Sequence, residues 1–287
     1  MKKLDHIALF ADLSKMDNLL LNYIKLLDDN FNFSKLTVIH YVALDAYSIE
    51  LQEVIPELGE PLEEVLRKEL QQNIKNVFGG PRDTIDVHIE SGGSIGKLVD
   101  YVDSMKFDLV IMGKKAHYAG SGSLGGKVVR LCNANFMFIP ENSRPNIQKI
   151  AVALDFSKYS EKVMEMALEV SGKTGAEIMP LSVLKAAVRY FPYIRERVAV
   201  EKSLKENHQK SYRKLQNKLD FDANLEFLIP DQDQHIGKLI YDHALTNSAD
   251  MIIMGNKGKA DNEALLMGSV TERLIATDKV LPVLIVK

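Results

Sequence analysis

Three glycines and a serine at fixed intervals are the residues of this sequence best suited to chemistry: Gly255, two residues, Gly258, nine residues, then Gly268-Ser269. Glycine admits positive φ and brings backbone N–H groups up to an anion without a Cβ in the way. A helix starting just beyond adds unpaired N–H groups and a partial positive charge. The chemistry this favours is phosphate binding. It is not a Walker A loop, because no G-K-[ST] follows a glycine at the required interval. A flexible β–α loop with ordinary turn glycines has the same composition. Ser269 reads as a hydroxyl donor to a phosphate oxygen or as a helix cap. Lys257 and Lys259 read as phosphate counter-charges or as solvated surface cations.

These residues need a strand before them and a helix after them. The run Met251–Met254 supplies the first, and an amphipathic segment with Leu274 and Ile275, expected over residues 263–277, supplies the second. The same organisation occurs twice. Ile7–Asp12 aligns with Ile150–Asp155, Ile95-Gly96-Lys97-Leu98 with Ile236-Gly237-Lys238-Leu239, and Phe107–Gly113 with Ala249–Gly255. A near-constant offset of about 142 residues is the mark of a tandem duplication.

Each half alternates short β-branched runs with helix-period runs, the pattern of βαβ units and a parallel sheet. In the first half strands are expected at 4–11, 36–43, 84–90, 108–112 and 136–139. Its helices carry the face Met16, Leu19, Leu20, Tyr23, Ile24 and Leu27, the segment 62–78 stopped by Gly79-Gly80-Pro81, the face Ile95, Leu98, Val99 and Val102, and the segment 124–132. In the second half strands are expected at 149–154, 177–184, 223–229, 251–254 and 283–286, with helices at 159–173, 194–219, 236–247 and 263–277. A polar, proline-bearing link, 140–146, divides domains 1–144 and 145–287.

The 287 residues carry a net charge of −3, with 46% hydrophobic and 26% charged residues. This balance gives no reason to expect a nucleic-acid or anionic-membrane partner. No apolar run reaches the roughly 18 residues that span a bilayer, and Met1–His6 lacks a signal core. Cys132 is the sole cysteine, which rules out an intrachain disulfide. The expectation is a cytoplasmic protein. The seven histidines show no H-E-x-x-H or paired ligand spacing.

With its G-x2-G-x9-G-[ST] spacing and tandem α/β pattern, the sequence resembles the ATP-binding members of the universal stress protein family, as two fused copies over essentially the whole chain. The resemblance implies two Rossmann-like (adenine nucleotide alpha hydrolase-like) α/β domains, each a five-stranded parallel sheet of order 3-2-1-4-5 with helices on both faces. In that order strands 1 and 4 form a switch point where ligands bind. The implied cofactor is ATP, any Mg2+ arriving with the triphosphate. By the same resemblance Asp155 reaches the adenosine, backbone groups near Ser182 and Val183 meet the adenine edge, and Gly255, Asn256, Gly258, Gly268, Ser269 and Val270 line ribose and phosphates. Asp155 also reads as a plain cap or turn residue, and Ser182 as a plain strand end. In the family the last strand pairs across a dimer. That implies an internal pseudo-dimer through Phe136–Ile139 and Val283–Val286, with a homodimer as a further possibility.

The first half departs from the pattern. Ala116 stands where the second glycine belongs, and Gly126 is followed by Lys127 rather than Ser or Thr. A Cβ at a position needing positive φ forces another loop path. Asp12 survives alone, and the glycine-rich segment 120–127 misses Walker A because position 121 is Ser and Val128 follows the lysine; it retains the means to form a backbone anion nest. The segment Ser91–Ser94 resembles a pyrophosphatase S-G-G loop only faintly and reads as a strand-to-helix turn. One competent site and one degenerate one are expected. No catalytic base or nucleophile accompanies the loop, so any hydrolysis is expected to be slow. The competing function is a nucleotide-independent interaction module. An enzyme of a related nucleotide-binding fold rests on fold analogy alone, with no H-x-G-H to support it.

Overall fold

The computed structural model describes residues 4–42, 59–80, 82–91, 94–115, 124–185, 197–231, 234–258 and 267–287. The chain divides between Pro145 and Asn146 into two compact units.

In the first domain the elements run β1 (His6–Ala11), α1 (Met16–Phe31), β2 (Lys35–Val42), α2 (Leu62–Phe78), β3 (Ile85–Ser91), α3 (Ile95–Met105), β4 (Leu109–Lys114), α4 (Leu124–Leu131) and β5 (Asn135–Pro140). The strands are parallel, in the order β3-β2-β1-β4-β5. Ile7, Ala8 and Leu9 of β1 are fully buried, because a central parallel strand is covered on both faces and therefore reads as a continuous apolar run. Helix α1 buries Met16, Leu20, Tyr23, Ile24 and Leu27, with Leu19 only half-buried at the rim of that face, and α2 ends at Gly79 with φ 77°, the left-handed cap that glycine adopts at least cost.

The second domain repeats the plan: β6 (Lys149–Ala153), α5 (Ser160–Thr174), β7 (Glu177–Val183), α6 (Arg197–Leu219), β8 (Glu226–Leu228), α7 (Ile236–Thr246), β9 (Met251–Gly255), α8 (Ser269–Thr277) and β10 (Val283–Val286). Its parallel order is β8-β7-β6-β9-β10. Ile150, Ala151 and Val152 of β6 are fully buried. Each half is thus the expected 3-2-1-4-5 sheet. Among the described residues no helix is long and apolar enough to cross a membrane.

Two elements differ from expectation. The strand expected over 223–229 is only Glu226–Leu228, because the Ala223 carbonyl is taken by Tyr212 Oη (2.8 Å) and Gln216 Nε2 (3.1 Å) from α6. A carbonyl occupied by side chains does not join a ladder. The helix expected from 263 starts at Ser269, with Met267 and Gly268 outside it; residues 263–266 lie outside the described residues. The starts of the helix expected at 194 and the end of the strand expected at 43 also fall outside them.

Candidate nucleotide site

Strand β6 ends beside β9, with Ala153 opposite Met254. Asp155 and Gly255 therefore leave neighbouring strands within two residues of their last pair, at the point where the strand order reverses. The chain after Gly255 is anchored at once: Asn256 N–H donates to the Val286 carbonyl at 2.8 Å. After the excursion of residues 257–267, Gly268 N–H donates back to the Asn256 carbonyl at 2.8 Å, and Glu272 N–H to the Gly268 carbonyl at 3.0 Å. The loop is closed at its neck and runs directly into α8. Thr271, buried in the first turn of α8, donates its Oγ1 hydroxyl to the Gly255 carbonyl at 2.9 Å.

The glycines work differently from expectation. Gly268 has φ −73° and ψ 146°, open to any residue, and Gly255 is not among the residues of positive φ. Gly255 instead sits in close quarters that leave a side chain little room. A Cβ there would stand 3.3 Å from the Lys257 carbonyl, 3.4 Å from Tyr159 Cβ and 3.6 Å from Val163 Cγ2. Gly268 holds the cap position of α8, so Ser269 is the first helical residue rather than the cap, and it is exposed. Val270 follows, half-buried. Gly258 is half-buried at the start of the loop; Lys259 and the rest of the loop to 266 lie outside the described residues, as does Ala116 in the first domain.

The positive-φ residue of the site is Phe156, at φ 57°, a strained conformation for a bulky side chain. It follows Asp155, whose Oδ1 accepts from Ser157 N–H at 2.9 Å and Ser160 Oγ at 3.1 Å. Those bonds fix the turn. The Phe156 ring packs edge-on to His208 (5.1 Å) and Tyr212 (6.4 Å) of α6. Ser182, buried near the end of β7, donates Oγ to the Leu154 carbonyl at 2.9 Å and meets His208 Nδ1 at 3.0 Å. Its side chain, not only its backbone, therefore holds the end of β6. The Val183 carbonyl accepts Lys185 N–H at 3.1 Å. The site thus gathers Asp155, Gly255, Asn256, Gly268, Ser269 and Val270 at the ends of β6 and β9, with Ser182 and Val183 one strand away. Thr271, Ser160, Phe156 and His208 were not legible as site residues; only the repeat register, which pairs Phe156 with Leu13, points to that turn.

The first domain builds the same crevice with other groups. Leu13 has φ 59°, and His40 Nδ1 meets the Ala11 carbonyl at 2.9 Å, the role of Ser182. Asp17 replaces Ser160 and accepts the N–H groups of Asp12 (3.1 Å) and Leu13 (2.8 Å). Burial raises the Asp17 pKa. Lys115, beyond β4, reaches across to Asp12 at 2.5 Å. Burial pushes the Asp12 carboxyl up, but hydrogen bonds from Lys115 and Ser14 outweigh it and hold the pKa below the usual value. The crevice carboxylate of the first domain thus meets both Ser14 N–H and a lysine of the same chain.

Beside the second site, His235 caps α7 by accepting Gly237 N–H on Nδ1 at 3.2 Å. A protonated ring nitrogen cannot accept. Burial lowers the His235 pKa, and Arg273 and Lys185 lower it further; burial likewise lowers that of His6. The folded state then holds fewer protons than the unfolded state just below the ordinary histidine pKa of about 6.5. The contribution is intact above that value and is lost as pH falls through it toward the folded pKa. Urea unfolding at pH 7.5 and 5.5 is expected to show lower stability at 5.5, with part of the difference removed by His235→Asn, a cap that does not titrate. An unchanged pH dependence in the variant excludes His235 as a source.

Residues 146–287 match the family model described as the universal stress protein family. The structure is similar to a universal stress protein from Archaeoglobus fulgidus DSM 4304, with a TM-score of 0.68 and 19% identity over 99% of this chain and 97% of the other. It is also similar to a putative universal stress protein from Pseudomonas aeruginosa UCBPP-PA14, with a TM-score of 0.66 and 14% identity over 99% and 93%. No curated protein matches the chain in sequence. Both whole-chain similarities span the two domains, and the family match lies on the half that carries the closed glycine loop. The second domain, residues 146–287, belongs to the universal stress protein family.

Proposed function

We propose that the second domain binds ATP at the ends of β6 and β9 and that the protein has a regulatory, stress-response role with at most slow hydrolysis. The observation that carries this reading is the closed neck of the loop, Gly268 N–H on the Asn256 carbonyl. It joins the strand end to a helix N-terminus that presents Ser269 to solvent, the arrangement that suits a phosphate chain. Asp155 and the ends of β6 and β7 near Ser182 and Val183 hold the nucleoside side. Gly255, Asn256, Gly258, Gly268, Ser269 and Val270 hold ribose and phosphates, and Mg2+ accompanies the triphosphate with waters of its own. In the first domain Ala116 and Lys127 stand where the motif has Gly and Ser, and that departure supports a non-binding crevice.

The test is to denature protein purified without added ligand, identify released nucleotide by mass spectrometry, and titrate stripped protein with Mg-ATP by calorimetry. One ATP per chain is expected. Two per chain overturn the assignment of the first domain. No nucleotide and no heat overturn the proposal in favour of a nucleotide-independent interaction module.

A further inference from the structure

Strand β3 ends the sheet of the first domain, and among the described residues no strand pairs with its outer side. Leu36 N–H donates to the Thr84 carbonyl at 2.9 Å, so the even-numbered residues of this strand turn their backbone groups to β2. The odd-numbered ones turn theirs outward. Val87 shows this directly: its carbonyl accepts Arg67 Nη1 from α2 at 2.5 Å, in the way it would accept an N–H of one more strand. Ile89 shares that side, as does Ile85, whose N–H already donates to the Arg82 carbonyl at 3.0 Å.

Along this edge, between α2 and β3, lies a cavity of about 480 Å3. Lys68, Lys75 and Arg82 line it together with Ile85 and Val87, and among the described residues no carboxylate does. Arg82 is held over the Phe78 ring at 4.8 Å and paired to Asp28 at 2.5 Å; Lys68 is paired to Glu60 at 2.5 Å. Both are solvent-facing pairs, which exchange partners at little cost. An unpaired edge is a template for another chain, and charge on the rim selects which chain.

We propose that the β3 edge docks an acidic peptide in extended conformation, which adds a strand beside Val87 and Ile89. Acidic residues at alternate positions then share one face of the added strand and meet Lys68, Lys75 and Arg82, while main-chain hydrogen bonds supply the affinity. Arg67 yields the Val87 carbonyl to the incoming backbone.

The experiment uses the full chain and a fluorescein-labelled heptapeptide of alternating Glu and Thr, followed by fluorescence anisotropy at low and high salt. Saturable binding that weakens with salt is expected. Lys75→Glu is expected to weaken it at least about tenfold, by placing like charge on the rim. Val87→Pro is expected to abolish it, since it removes the outward N–H while leaving the ladder to β2, a position where an edge strand tolerates proline. The unfolding transition of each variant is compared with wild type, and Lys75→Glu decides alone if Val87→Pro does not fold. Equal binding of a peptide of the same charge with a central proline overturns strand addition. Absence of binding by the Glu-Thr peptide, or binding indifferent to Lys75→Glu, overturns the site.

Discussion

Gly268→Leu is expected to weaken Mg-ATP binding by at least about 100-fold, roughly 2.7 kcal/mol, while leaving the second domain folded. The two halves of that expectation come from one residue. Its φ of −73° and ψ of 146° are open to every amino acid, so leucine introduces no backbone strain. Yet Gly268 is buried at the neck of the loop, with its N–H on Asn256 and its carbonyl on Glu272. Four added carbons at that neck must displace either the loop or the first turn of α8, and the proposed phosphate contacts depend on both. Calorimetry on stripped protein gives the affinity, and circular dichroism with thermal unfolding reports the fold. An affinity within threefold of wild type in a folded variant would remove the glycine loop from the site.

Gly237→Ala is expected to destabilise the second domain by about 1–3 kcal/mol, the usual cost of forcing atoms into a packed core. The sequence-equivalent Gly96→Ala is expected to stabilise the first by about 0.5–1 kcal/mol, the helix-propensity gain of alanine over glycine. A Cβ on Gly237 would stand 2.7 Å from the Val270 carbonyl oxygen and 2.9 Å from Leu274 N. Both are backbone atoms of α8, so α7 and α8 would have to move apart. That movement would also disturb the helix start at Ser269 and the cap that His235 places on Gly237. At Gly96 the near atom is Ser94 Oγ at 3.2 Å, a single hydroxyl that caps α3 through Gly96 N–H and shifts by a small rotation. Urea unfolding of the two variants should move in opposite directions. Equal shifts would show that helix propensity, not the approach of α8, governs both positions.

This pair also marks the limit of reading the chain as letters. The motif Ile-Gly-Lys-Leu occurs at 95–98 and at 236–239, and its recurrence identified the duplication. Nothing in the motif distinguishes a glycine that faces a hydroxyl from one that faces a helix backbone, because that depends on a neighbour some 35 residues away. The glycine loop shows the same division. Its spacing marked a candidate site, whereas the reason assigned to its glycines was conformational, and the structure shows close quarters without positive φ at Gly255 and a permissive backbone at Gly268. The short β8 was not legible because Tyr212 and Gln216 compete for a carbonyl in a strand-like segment.

What the sequence determined by itself is the tandem repeat, the alternation of strands and helices, and the strand-end positions of Asp12, Asp155, Gly113 and Gly255. These follow from local periodicity and from handed βαβ connections, which leave few topologies to consider. Only the tertiary structure decided which groups answer those residues. Asp155 is tied to Ser157 and Ser160, and Asp12 meets Lys115 from 103 residues away. Phe156 and Leu13 are held at positive φ by bonds and packing around them. Such pairings arise where parallel strands bring distant segments side by side, and no interval along the chain encodes them.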